Sequence, residues 1–304
     1  MNGPGALRLR LACRAPLAIE ASFAFLAARA IPGVEVVAGE EYRRAVRTGA
    51  GHAVLRLRPA DTAPGGAPAM DLEVGPIGFV GQGAPVGESE LAAIVRAARR
   101  LLDLDADPVA IDAVLGSDAI LRPSVVASPG TRLPGAFDGF ATTVLAILAQ
   151  GVTLASARTL AGRIALARGP AIDVGDPVIV RRFPEPEVLA GADLSAAGLT
   201  GRRAATIRAV AAAVADGRLD LDFPADPAAT IASLRAIPGI GPWTTGYVAL
   251  RVLGDRDAFP PDDAAVRAAF RRLGLPSDPR SIAARAETWR PWRGYALAHL
   301  WSVG

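Results

Sequence analysis

The stretch from Ala236 to Asp263 constrains this chain most, because it reads as helix, tight hairpin, helix, turn, acid. Ile237-Pro238-Gly239-Ile240-Gly241-Pro242-Trp243 separates two segments of helical apolar spacing, one ending at Ala236 and one running from Trp243 to Leu253. Two glycines around one apolar residue permit positive φ on both sides of Ile240, so its side chain can turn back into a core. Pro242 suits the first turn of the second helix, where its missing N–H costs nothing. Free backbone N–H groups then point out of a helix N-terminus, an arrangement that suits a DNA phosphate. Gly239, Gly241 and Thr245 are the residues expected at that contact. Beyond the second helix comes Phe259-Pro260-Pro261-Asp262-Asp263-Ala264-Ala265-Val266. Spacing alone lets either Asp262 or Asp263 be an acid displayed at a helix start, and equally an ordinary helix cap.

The flanking sequence divides in two. Residues 7–12, 34–37, 53–58 and 70–74 read as short strands, with a helix over 20–30 and an amphipathic helix over 88–102. The segment Pro59 to Ala69, with Pro64-Gly65-Gly66, reads as a hairpin connection or an insertion. From about Pro108 onward nearly everything is helical: 137–150, 153–167, 200–216, 228–236, 243–253, 263–273, 281–287 and 292–303. Gly169 to Pro186, rich in Gly, Pro and Asp, reads as an exposed connector. The expected class is α+β. Its N-terminal domain spans 1–107, a helical domain 108–225, and the hairpin with the last helices 226–304. At 304 residues there is enough chain for two or three subdomains with their own cores.

Composition removes several kinds of chemistry. A single cysteine, Cys13, excludes an internal disulfide framework and a cysteine-ligated cluster. No apolar run qualifies as a membrane span or signal peptide, so a cytoplasmic protein is expected. All 33 basic residues are arginine. Schiff-base catalysis needs an amine that can lose its proton, which arginine effectively never does, leaving only the N-terminal amine. Net charge is +3, and residues 226–304 hold ten arginines against seven acids, a local excess that suits phosphate contact. His52 and His299 have no partner at metal-ligand spacing and receive no role.

Ile237 to Gly241, Trp243, Tyr247 and the Pro-Pro-Asp-Asp segment resemble the helix-hairpin-helix DNA glycosylases, in particular the DNA-3-methyladenine glycosylase II branch. The resemblance extends to Phe25-Leu26-Ala27-Ala28-Arg29-Ala30, Arg132-Leu133-Pro134-Gly135 and Ile147-Leu148-Ala149-Gln150. It also takes in the tail from Trp289 to Trp301. It implies a small antiparallel sheet ahead of two helical subdomains that enclose the active-site cleft. The family's catalytic aspartate matches Asp263, leaving Asp262 as cap or neighbour. Its base-pocket walls match Phe25, Trp243, Tyr247 and Trp301, while Trp289 and Trp292 brace the last helix. Relatives hold an alkali cation on hairpin carbonyls, here those of Arg235, Ile237 and Gly239. No other cofactor is implied, and the iron–sulfur cluster of some superfamily members is excluded by the cysteine count. Lyase-active relatives carry a lysine where this chain has Trp243.

The chemistry implied is hydrolysis of an N-glycosidic bond. Positive charge builds on the deoxyribose, and a carboxylate near C1′ stabilises it. A flipped, cationic alkylated base would be favoured by aromatic faces. Two positions depart from the family pattern. Gly151 stands where relatives insert a leucine wedge, leaving Val152 or Leu154 as substitutes, and Ala264 replaces an aromatic residue beside the aspartate. The expected function is a monofunctional DNA glycosylase in base excision repair, removing alkylated purines of the 3-methyladenine type. It would act as a monomer on damaged double-stranded DNA, associated with the nucleoid and not with a membrane. The alternatives are a non-catalytic hairpin DNA-binding protein and a glycosylase for deaminated bases.

Overall fold

A computed structural model describes residues 6–49, 51–61, 66–75, 86–199 and 201–303. Pro64 and Gly65 of the expected hairpin connection, and Thr200 at an expected helix start, lie outside the described residues.

The N-terminal region is a five-stranded antiparallel sheet of β1 (Leu7–Ala12), β2 (Glu35–Ala38), β3 (Glu41–Thr48), β4 (Gly51–Pro59) and β5 (Ala69–Gly75), in the order β1-β5-β4-β3-β2. Helix α1 (Ile19–Ala27) lies between β1 and β2 in sequence, and α2 (Glu88–Leu101) follows β5. One face of the sheet packs Leu55, Leu57, Met70 and Leu72 against Phe23 and Leu26 of α1 and Ile94 and Leu101 of α2. Strand β3 was missing from the four expected. Its core-facing positions are Tyr42, Arg44, Val46 and Thr48, all buried, and the polar members hide the apolar alternation. Arg44 is tolerated there because it pairs with Glu35 at 2.8 Å and Asp138 at 3.0 Å.

The segment 169–186 is not an exposed connector. Ile172, Val174 and Ile179 are buried with Ala45 and Val54 on the other face of the sheet. Asp176 fixes the segment by accepting from Val178 N and Ile179 N and pairing with Arg43 at 2.7 Å. A Gly/Pro/Asp-rich composition marks turns, and here the turns fold an apolar flap onto the strands.

The remaining helices are α3 (Pro108–Leu115), α4 (Arg122–Ala127), α5 (Gly139–Leu148), α6 (Leu154–Arg168), α7 (Pro186–Ala190), α8 (Gly201–Ala215), α9 (Pro227–Arg235), α10 (Pro242–Arg251), α11 (Ala264–Arg272), α12 (Pro279–Ala286) and α13 (Arg293–Val303). Their starts are written in the sequence. Asp107, Asp226 and Asp278 each precede a proline and accept a backbone N–H in the first turn, as Asp138 and Thr153 do without one. Two apolar cores hold these helices. One joins α5, α6 and α8 with Leu234 of α9, Ile240 of the hairpin and Val248 of α10. The other joins Ile111 and Val125 of α3 and α4 with Val266, Ile282 and Leu297 of α11, α12 and α13. Residues 106–133 therefore pack with the C-terminal helices, and the hairpin packs with the middle ones. The cleft lies where α1, the hairpin, α10 and α13 meet.

Candidate active site

The hairpin is fixed by one glycine. Gly239 has φ +94°, and a Cβ there would lie 2.1 Å from Thr206 Oγ1 of α8, which itself donates to Pro238 O at 2.9 Å. Gly241, expected to share the positive φ, has φ −100° and ψ 176° as the N-cap of α10. One left-handed residue suffices, because Ile240 is already buried in the core. Among the described residues the N–H groups of Gly239 and Gly241 meet no intramolecular acceptor, so both are available to an anion. Thr245 is different: it is buried and its hydroxyl donates to Gly241 O at 2.9 Å, so its proton is directed away from a phosphate. Gln150 ties the hairpin to the end of α5, donating to Gly239 O at 3.0 Å and Thr244 Oγ1 at 2.9 Å.

Helix α10 presents Trp243, Tyr247 and Arg251 at four-residue spacing, hence on one face. The first two stack at 5.2 Å between ring centroids. The Pro260-Pro261 turn lies against the helix at Gly246, where a Cβ would make ordinary contact with Pro260 at 3.4 Å. Asp263 then caps α11, with Oδ1 accepting from Ala265 N at 3.0 Å and Val266 N at 3.1 Å. Two indoles also donate to this carboxylate, Trp243 Nε1 to Oδ2 at 2.8 Å and Trp301 Nε1 to Oδ1 at 3.2 Å. Asp263 is 6% exposed and lines the cleft, whereas Asp262 is exposed. The spacing could not separate the two acids; their burial does.

All four expected wall residues converge. Phe25 stacks on Trp301 at 5.4 Å and 25°, and Tyr247 faces Trp301 at 6.4 Å and 47°. A flat base between two rings needs about 7 Å, twice an optimal carbon contact, so a small rotation of one ring admits it. Helix α1 supplies its wall by being two-faced: Ile19, Phe23 and Leu26 enter the sheet core, while Ala21, Ala24, Phe25 and Ala28 line the cleft. The cleft encloses about 1300 Å³, more than one base needs. Gly151 and Val152 line its rim, Gly151 with φ +69° and open space around it, Val152 38% exposed.

Two arginines at this site were not anticipated. Arg251 is 3% exposed; it donates to Tyr247 Oη at 2.7 Å, to Gly135 O at 2.9 Å and to Pro134 O. Those carbonyls account for the Arg132-Leu133-Pro134-Gly135 segment beside the pocket. Arg29 donates to Tyr247 Oη at 3.3 Å and to Phe25 O at 3.2 Å, with its guanidinium carbon 3.5 Å from the centre of the Phe25 ring. Burial alone would raise the Tyr247 phenol, but Arg251 and Arg29 outweigh it and hold the group below its ordinary value. A sequence signal existed for both, since Arg29 follows Phe25 and Arg251 follows Tyr247 by four residues. His299 is buried on α13, with Nδ1 2.9 Å from Ser124 Oγ, and burial lowers its pKa to about 4. Trp289 is fully buried and donates to Asp118 at 2.9 Å.

Sequence comparison places this arrangement, a sheet with two helices, two helical cores and a capping aspartate beside a hairpin, among base excision DNA repair proteins. Residues 8–138 match the AlkA N-terminal domain and residues 144–294 match the HhH-GPD superfamily of base excision DNA repair proteins. DNA-3-methyladenine glycosylase 2 of Escherichia coli is 35% identical over 91% of this chain and 90% of its own. The chain belongs to the AlkA-type family of helix-hairpin-helix DNA glycosylases. A probable bifunctional transcriptional activator/DNA repair enzyme AlkA of Mycobacterium tuberculosis is 39% identical over 98% of this chain, which spans 57% of that relative's length. The fold is shared with a 3-methyladenine DNA glycosylase from Archaeoglobus fulgidus, at TM-score 0.78, 21% identity and 97% coverage of both chains. Among the described residues no helix is long and apolar enough to cross a membrane.

Proposed function

We propose that the chain is a monofunctional DNA glycosylase that removes alkylated purines of the 3-methyladenine type from damaged duplex DNA, leaving an abasic site. One observation carries this reading. Asp263 faces the cleft held by two backbone and two indole N–H groups, all neutral, so its full charge is available to a sugar cation. The DNA backbone sits on the hairpin, with Gly239 and Gly241 N–H at a phosphate. The extruded base enters beside Tyr247 and Trp301, with Phe25 and Trp243 behind them. Asp263 then stabilises the oxocarbenium-like sugar and positions water at C1′. A cationic leaving base needs no strong acid. The absence of lysine leaves no side-chain amine to form a sugar adduct, which supports hydrolysis without strand cleavage. The protein acts as a monomer.

An alkali cation would be held by the carbonyls of Arg235, Ile237 and Gly239. Ile237 O and Gly239 O each already accept one hydrogen bond, from Ile240 N and Gln150, and each keeps a second lone pair. When bound, the ion would supply positive charge to the adjacent phosphate.

The test is release of methylated bases from duplex DNA by the wild type and Asp263→Asn, with binding to abasic duplex measured on the same samples. Loss of release with binding kept supports the reading. A wild type that binds but releases nothing sinks it in favour of a hairpin DNA-binding protein.

A further inference from the structure

A second cavity, of about 430 Å³, opens at the end of α10 away from the hairpin. The 10 residues of that helix span roughly 15 Å, so a molecule seated there leaves the hairpin end free. The floor of the cavity is apolar, built from Leu133, Leu250, Val252 and Leu253. Arginines 96, 99, 100 and 256 form its rim. Arg100 is held by the carbonyls of Ala136 at 2.7 Å and Val252 at 3.2 Å and by Asp222 at 3.0 Å. Arg99 pairs with Asp105, and Arg256 pairs with Asp103 at 3.1 Å. Arg96 is exposed and, among the described residues, forms no ion pair and no hydrogen bond. Its charge is the one on this rim that no described carboxylate balances.

Backbone conformation singles out the same place. Among the described residues, Asp103 and Phe223 are the non-glycine positions in the left-handed region, with φ +48° and +68°, and both line this cavity. The strain at Asp103 is offset inside the fold, where its carboxylate accepts from Tyr295 Oη at 2.7 Å and Leu133 N at 3.3 Å beside Arg256. Phe223 has no such compensation. Its side chain is 44% exposed, more than any other aromatic among the described residues, with the guanidinium carbons of Arg100 and Arg96 at 4.1 and 5.5 Å from the ring centre. A bulky residue at positive φ is strained, and here the strain sets an aromatic ring in solvent at the mouth of an apolar cavity.

An apolar floor, an exposed ring and an unbalanced cation suit a peptide that carries a large apolar side chain between acidic residues. The apolar side chain covers the floor and the exposed part of the Phe223 ring, and a neighbouring carboxylate pairs with Arg96. A polynucleotide suits the cavity less well. Asp105 on the rim and Asp222 beside it repel phosphates, and a nucleic-acid backbone offers them no donor, whereas a peptide brings backbone N–H groups. We propose that this cavity docks an acidic, apolar-anchored peptide segment of a partner protein while the hairpin holds DNA. The assignment does not depend on which base the aromatic pocket takes.

Fluorescence anisotropy on the full chain tests it, using a labelled acidic peptide with a central phenylalanine and the same peptide with alanine at the centre. The wild type, Arg96→Glu, Phe223→Ala and Phe223→Gly are compared, with melting temperature and abasic-duplex binding measured on each. The phenylalanine peptide is expected to bind the wild type, and the alanine peptide about tenfold more weakly or worse. Arg96→Glu and both Phe223 variants are each expected to weaken the phenylalanine peptide by about tenfold, with abasic-duplex binding unchanged. Phe223→Gly should melt no lower than the wild type, since glycine adopts this φ without strain. Unlabelled abasic duplex should leave the peptide bound. Absence of binding, equal affinity for the two peptides, or affinity that survives Arg96→Glu overturns the proposal. Displacement by duplex overturns it too, because the peptide then occupies the DNA surface. A marked fall in the melting temperature of Phe223→Gly overturns it by making the ring a brace of the fold. Tighter, Arg96-dependent binding of a labelled single-stranded oligonucleotide overturns it in favour of nucleic acid.

Discussion

Two aspartates in this protein, Asp263 buried and Asp118 partly so, accept indole N–H groups, and they are finished differently. Asp118 accepts from Trp289 at 2.9 Å, from Ile120 N at 2.8 Å, and is ion-paired with Arg285 at 2.5 Å. Burial pushes its carboxyl up, yet the Trp289 indole, the Ile120 amide and Arg285 together bring it below its ordinary value. Asp263 accepts from two indoles and two amides and, among the described residues, forms no ion pair. A carboxylate that only supports a fold is best neutralised on the spot. One that must stabilise charge arriving later is better held by neutral dipoles, which fix its position and leave its field intact. The arginines mirror this contrast: Arg44 pairs with Glu35 and Asp138 inside the sheet core, while Arg29 and Arg251, among the described residues, donate to neutral oxygens beside the pocket.

The sharpest way to break the comparison is to exchange the roles by mutation. Asp263→Asn is expected to lower base release by on the order of 10³-fold. Asp118→Asn should leave release within a few-fold; equal losses of activity would erase the distinction. Acid titration comes next. His299, buried neutral with its pKa lowered to about 4, contributes stability that is fully present above its unfolded value near 6.5. That contribution is lost as pH falls from about 6.5 to 4, and amounts to about 3 kcal/mol. His299→Gln should flatten this part of a urea-denaturation profile. Below it lies a second window, because the lowered Asp118 carboxyl supports the fold above pH about 4 and ceases to do so as it protonates.

Asp118→Asn should itself cost about 1–3 kcal/mol at neutral pH, since Arg285 is partly exposed and only part of the pair is shielded from solvent. The smallest effects come from the indoles. Trp243→Phe keeps the stack on Tyr247 and removes one donor from Asp263, and should slow release about tenfold. Trp289→Phe removes the matching donor from Asp118 and should cost about 1 kcal/mol of stability without altering release.

Much of this was readable in the residues. The hairpin and the resemblance that picks Asp263 over Asp262 are local patterns, and local patterns survive in a linear string. The four aromatic wall residues were also legible, through that resemblance. What escaped was polar and long-range. Strand β3 hid because Arg44 occupies an inward position, and only Glu35 and Asp138, from elsewhere in the chain, make that acceptable. The flap at 172–179 hid because its few apolar residues matter only once Ala45 and Val54 face them. The positive end of the pocket hid for a related reason. Arg29 and Arg251 look like ordinary helix-surface arginines until α1 and α10 are placed on either side of the Tyr247 hydroxyl. Division of the chain in sequence order likewise passes over the core that joins residues 106–133 to the last three helices.

The stack of Phe25 on Trp301 carries a consequence for biosynthesis. Phe25 leaves the ribosome well before Trp301, which belongs to α13. A nascent chain can complete its sheet and fold its hairpin while the wall opposite Tyr247 is still missing. Such a partial product has the hairpin without the closed aromatic chamber. The chamber is therefore complete only once residues 293–303 have been made and packed against α1.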